Sequence, residues 1–265
     1  MNSRSIAIVA ACSVVGFTLL DYAIAARLDA DTLFWYHGAV RAALLTMVAI
    51  CTGAAARRFK WWNEYLGRAW SLFCAAYVVL AVSEIVRRAS PDSPAQAVLV
   101  VVANLALVGA YWLMARALNE AGLEYYGSTT RKVVFFAIAV ALAVALCSGA
   151  LISEVESMRA GDPHFGSMVS VLADAITFLL VAPLLLTTLA LWGGQLFWIF
   201  AMLTVGTFGW MVNQGASTLL RLGDWVSLVR SGRMFGFALA CFFIAGAALA
   251  QRAASRSRTP EVSPQ

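Results

Sequence analysis

Asp174 stands inside an otherwise apolar run, with Ser170 four residues before it and Thr177 three residues after it. Helical periodicity places these three side chains on one face. A carboxylate in hydrocarbon needs compensation from a proton, a cation, a polar ligand group or an arginine on a neighbouring helix. Two roles therefore stay open for Asp174: contact with a ligand, or one half of a structural ion pair. Further ionisable or amide groups lie within or at the ends of apolar runs: Asp21, Arg41, Glu84, Asn104, Asn213 and Gln214. Glu84 has Arg87 and Arg88 at i+3 and i+4, the spacing of local ion pairs on a helix. Asn104 lies deeper, where an amide can hydrogen-bond between helices. Asp21, Arg41, Glu84, Asp174 and Asn213 fall at a similar depth if each apolar run crosses a membrane once. The expectation is one polar ligand-binding pocket that holds these five, with Ser170 and Thr177 beside Asp174.

Other chemistry finds little support. His37 and His164 tempt towards a metal or haem, but no carboxylate pattern completes a metal site and haem ligands would lie deeper in a bundle. No metal or cofactor is expected. Cys12, Cys51, Cys74, Cys147 and Cys241 all lie in apolar runs without a CxxC pair, and read as small buried hydrophobes. There is no GxSxG, HExxH, Walker loop or paired-glycine nucleotide fingerprint. Neither Lys60 nor Lys132 lies mid-span, which excludes a retinal Schiff base of the rhodopsin type. Cys147-Ser148-Gly149 resembles the nucleophile motif of exosortase-type membrane transpeptidases. The downstream arginine and histidine arrangement of that family is missing, so no catalytic residue is assigned.

The elements that must position these groups are set by composition. The 265 residues are 62% apolar and 12% charged, with a mean hydropathy of +0.79. A soluble domain carries roughly 25% charged residues and could not hide so much apolar surface, so the bilayer must act as solvent. The net charge of +5 and pI of about 9.1 arise from residues at span ends and in the C-terminal tail. They carry topology information and no nucleic-acid-binding face. The excess of 17 arginines over 2 lysines fits a high-GC bacterial genome. Apolar runs near 5–26, 38–56, 69–89, 96–117, 133–153, 167–189, 194–215 and 233–251 are each long enough to span. The predicted fold is all-α: a polytopic membrane protein of about eight transmembrane helices. Residues 1–251 form a single membrane domain and 252–265 a disordered cytoplasmic tail. Ala23-Ile24-Ala25 imitates a signal cleavage site, but the following polytopic chain favours 5–26 as a retained first span. Trp192-Gly193-Gly194-Gln195 predicts a tight turn between the sixth and seventh spans.

With the N-terminus inside, 11 of the 19 positive residues fall on inner segments. Both termini are thus expected to be cytoplasmic, in the inner membrane. Halves 1–131 and 132–251 share a layout, with His37 and His164, and Gly67 and Gly194, each 127 residues apart. Two parallel four-helix repeats would produce that pattern. Small residues at four-residue spacing predict helix contacts on the fifth span (Ala137, Ala141, Ala145, Gly149) and the eighth (Gly232, Gly236, Ala240).

The stretch from Gly67-Arg68-Ala69-Trp70 to Ser83-Glu84 has a familiar layout, as does the run from Asp174 to Asn213 with Pro183 and Gly193-Gly194. It resembles the multi-helix membrane sensor modules at the N-termini of bacterial histidine kinases and diguanylate cyclases. That resemblance implies a signalling role. No kinase or cyclase domain follows the eighth span in this sequence, so output is expected to pass to another membrane or signalling protein. The leading expectation is a sensor or accessory membrane subunit that binds a small ligand or a partner through its bundle. A small-solute or ion transporter is the alternative and an intramembrane enzyme the third reading. A transporter should have polar groups along the midplane and broken helices; here midplane polar groups are few and only Pro183 interrupts a span.

Overall fold

Lipid offers no hydrogen bonds to a bare backbone, so segments this apolar must satisfy their own peptide groups as helices. The computed structural model describes residues 2–59, 62, 64–90, 93–123, 127–161, 165–219 and 226–256. Eight α-helices form: α1 Ser3–Ala25, α2 Ala30–Arg58, α3 Tyr65–Ala89, α4 Pro94–Glu120, α5 Thr129–Arg159, α6 Phe165–Thr188, α7 Gln195–Leu219 and α8 Val226–Arg256. Each carries a stretch long and apolar enough to cross a bilayer core of about 30 Å. No strand occurs among the described residues. The chain is a multi-pass helical membrane protein.

Local chemistry sets the boundaries. Asn2, Asp29, Ser93 and Ser128 cap α1, α2, α4 and α5, each side chain accepting a backbone N–H from the first turn. Asp29 accepts both the N–H and the hydroxyl of Thr32 at 2.9 Å. These bonds, the backbone one foremost, hold its carboxyl below the usual carboxylate range. This cap starts α2 eight residues before the apolar run that announced it. The added turns hold Asp31, Thr32 and His37 among aromatic residues, a mixture that hydropathy alone passes over. Between α6 and α7 a 3-10 turn, Leu189–Leu191, precedes Gly193, whose φ of +80° suits glycine. The Gly194 N–H donates to the Leu191 carbonyl at 2.8 Å, and the predicted tight turn is present. Pro183 does not end α6; the Thr187 hydroxyl donates to the Pro183 carbonyl at 3.0 Å.

Six helices close a ring in the order α2, α3, α4, α6, α7, α8 and back to α2. α1 lies outside it against α8 and α7, and α5 lies outside against α6 and α7. Exchanging the halves maps α2–α3 onto α6–α7, α3–α4 onto α7–α8, and α4–α6 onto α8–α2. α1 and α5 do not follow this exchange, because α5 packs within its own half and α1 on the other half.

The closest seam is between α7 and α8. A Cβ on Gly209 would come within 2.6 Å of the Ala240 backbone nitrogen, and one on Gly236 within 2.6 Å of the Asn213 nitrogen. Backbones meet there because neither residue has a side chain, as expected for the small-residue stripe of the eighth span. The expectation for the fifth span was wrong. Ala137, Ala141 and Ala145 face outward, while Ala139, Ala143, Cys147 and Ala150 are the buried positions of α5. Alanine is abundant on both faces of that helix, so small-residue spacing could not choose between them.

Candidate binding site

At the end of the ring opposite the start of α1 and the end of α8 lies a cavity of about 740 Å³. All six ring helices contribute to its wall: Arg41 from α2, Glu84 and Arg87 from α3, Gln96 from α4, Ser170 from α6, Asn213 and Gln214 from α7, and Arg233 from α8. Phe237 and Trp210 also line it, their rings 5.3 Å apart at nearly a right angle. The Trp210 indole N–H donates to the Tyr77 hydroxyl at 3.2 Å, joining α7 to α3 across the ring. Tyr77, Phe73 and Trp70 continue in sequence along α3, and Tyr111 of α4 meets Phe73 edge-on at 4.9 Å. These four rings are essentially without exposed surface. The cavity therefore has a polar mouth and an aromatic floor, with the column of buried rings of Tyr77, Phe73, Tyr111 and Trp70 beyond it. A separate cavity of about 670 Å³ lies at the other end of the ring beside Phe59, Leu118, Gln195 and Gln251.

Electrostatics concentrate at Glu84. Its carboxylate meets Arg41 at 2.9 Å, Arg87 at 2.7 Å and Arg88 at 3.9 Å. The predicted local pairs with Arg87 and Arg88 form, and Arg41 joins them from the next helix. Two aromatic faces hold these cations in place: Arg41 lies 4.4 Å over Phe237, and Arg88 lies 3.7 Å over Phe34. Arg88 also occupies the space left by the missing side chain of Gly38. A second cavity of about 400 Å³ shares Arg41, Arg87 and Arg233 with the first and adds His37, Arg88 and Arg230.

The expected site residues divide into three groups. Arg41, Glu84, Ser170 and Asn213 line the main cavity. Asp174 is buried beside it: the Gln214 side-chain amide, which reaches the cavity, donates to its carboxylate at 3.3 Å. The alternative arginine partner for Asp174 is absent among the described residues, and an amide occupies that place. Asn104 donates to the Ser170 hydroxyl at 2.9 Å and ties α4 to α6. Thr177 and Asp21 do not reach the cavity wall. The Thr177 hydroxyl bonds back to the Asp174 main-chain carbonyl at 3.0 Å, and Asp21 faces His37 at 3.4 Å on the α1 side. The single pocket of five residues is thus three wall residues, one residue behind the wall and one set apart.

Sequence reasoning missed the roles of Arg88, Arg230 and Arg233 as lining residues and of Trp210 and Phe237 as a floor. Arg230 and Arg233 read as charges of a connecting segment; their i, i+3 spacing just ahead of the eighth apolar run was the available signal. His164 lies outside the described residues. Among the described residues no group of three His, Cys, Asp or Glu could hold a metal ion.

Chemically, the site offers guanidinium donors on its rim, amide and hydroxyl groups in its wall and a buried acid behind it. The Asn213 side-chain oxygen is buried with no hydrogen-bond partner among the described residues. Comparisons with protein-family models, curated proteins and solved structures return no match for this chain.

Proposed function

We propose that the chain is a membrane-embedded binding protein, a sensor or accessory membrane subunit that takes a small polar ligand in the ring cavity. The carrying observation is the cavity's construction: six helices each place a residue on its wall, while the buried rings of Tyr77, Phe73, Tyr111 and Trp70 lie between it and the cavity at the other end of the ring. Ligand pockets of a few hundred Å³ with few convergent polar groups suit small molecules. A ligand held by several helices at once can shift their packing, which is how such a site would signal to a partner protein in the membrane. Transport needs access from both faces, and the aromatic column opposes it.

In this reading the termini are cytoplasmic and the cavity opens to the other side of the inner membrane. Of the eight positive residues assigned to outer segments, Arg41, Arg87, Arg88, Arg230 and Arg233 converge on the two cavities. Arg27 and Arg159 do not line these cavities and Arg221 lies outside the described residues, so at most three outer positive residues stand apart from the cavities against eleven on the inner segments.

Labelling tests the cavity. In nanodiscs, Ser170→Cys should react with a membrane-impermeant maleimide well above the wild-type background, whereas outward-facing Val140→Cys should not. An unreactive Ser170→Cys would remove the open site on which this reading depends.

A further inference from the structure

Five guanidinium groups face these two cavities, from Arg41, Arg87, Arg88, Arg230 and Arg233, and among the described residues Glu84 is the one carboxylate in their walls. Glu84 is already engaged by three of the five. Arg230 and Arg233 have no ion-pair partner among the described residues. The Nε atoms of Arg87 and Arg88 are buried and also lack hydrogen-bond partners among the described residues. Like charges gathered near the low-dielectric interior repel strongly unless a counter-anion enters. The arrangement is also a fixed one. Phe34, Phe237 and Glu84 orient the three arginines of α2 and α3, and α8 brings the other two one turn apart.

We infer that this arginine basin binds the phosphate group of an anionic ligand. This inference rests on the cavity being a ligand site and names the ligand's chemistry. Guanidinium forks match the paired oxygens of a tetrahedral phosphate, and its negative charge, one for a lipid phosphodiester and nearly two for a soluble monoester, offsets part of the excess of positive charge. The buried Asn213 oxygen, a bare acceptor, takes a hydroxyl donor carried by the same ligand. Volumes of about 400 and 740 Å³ far exceed one halide ion and accommodate a phosphate ester. The phosphate comes either from a lipid headgroup entering from the bilayer or from a soluble ester entering from the mouth.

Thermal unfolding of the full chain in nanodiscs tests this and separates the sources. In neutral phosphatidylcholine discs at constant ionic strength, 10 mM glycerol phosphate should raise the midpoint by about 3 °C or more if the ester is soluble. If the source is lipid, phosphatidylglycerol in the disc should produce that rise and glycerol phosphate should not. In either case Arg230→Gln/Arg233→Gln should lose most of the shift. Arg230→Lys/Arg233→Lys, which keeps the charge but not the fork, should retain part of it and serves if the glutamine variant does not fold. The inference is overturned if neither phosphate source stabilises the wild type, if equimolar chloride does so equally, or if the variants respond like the wild type. Ser170→Cys labelling is independent of phosphate, so labelling retained without a phosphate response removes the ligand assignment and leaves the binding site standing.

Discussion

At the scale of single residues, the buried charges were legible as anomalies, but their partners were not. Glu84 announced its local pairs because Arg87 and Arg88 follow on the same helix. Arg41 could not be assigned to Glu84, since nothing in the chain says that α2 and α3 pack side by side at that level. Glu84→Gln leaves Arg41, Arg87 and Arg88 facing one another, and should cost about 3–5 kcal/mol when measured by unfolding in mixed micelles. A variant as stable as wild type would mean that the arginines are already balanced by something else. Asp174 behaves differently because its partner is the Gln214 amide and no arginine. Asp174→Asn keeps an acceptor for that amide and removes a buried charge, so it should melt no lower than wild type. Asp174→Leu loses the hydrogen bond and should be less stable by about 1–3 kcal/mol. If Asp174→Asn unfolds much more readily, a cationic partner for Asp174 has to be sought.

At the scale of elements, hydropathy located all eight spans, because span existence depends on summed apolar character. It placed the start of α2 late, since the first turns of that helix mix Asp31, Thr32 and His37 with aromatic residues. Small-residue spacing succeeded on α8 and failed on α5. The difference lies in what the facing helix offers: α7 presents Gly209 to α8, whereas α5 has alanines on every side. Gly209→Ala and Gly236→Ala would each drive a methyl group into the backbone of the opposite helix and should cost about 1–3 kcal/mol. Gly16→Ala is the control: nothing lies within 4 Å of its added carbon, so stability should be unchanged or slightly raised. Equal tolerance at all three positions would contradict the close approach of α7 and α8.

At the scale of the whole molecule, ring closure is the feature that no local pattern carries. The ring brings residues separated by more than a hundred positions, such as Tyr77 and Trp210, into contact, and so turns scattered polar groups into one cavity. The proposed orientation is tested in the cell: a reporter active only outside the inner membrane should be silent when fused after Gln265 and active near Asp162. Activity at Gln265 would reverse the proposed orientation. The central claim is that the cavity ends at the aromatic column and binds without conducting. Its most direct test is the labelling of Ala76→Cys, a fully buried position of α3 between Phe73 and Tyr77, by a small thiol reagent applied separately to each face of oriented proteoliposomes. The account predicts no reaction above the wild-type background from either face, while Ser170→Cys reacts from the face opposite the termini. Reaction of Ala76→Cys from either face would contradict it, and reaction from both would mean that the ring opens through the membrane.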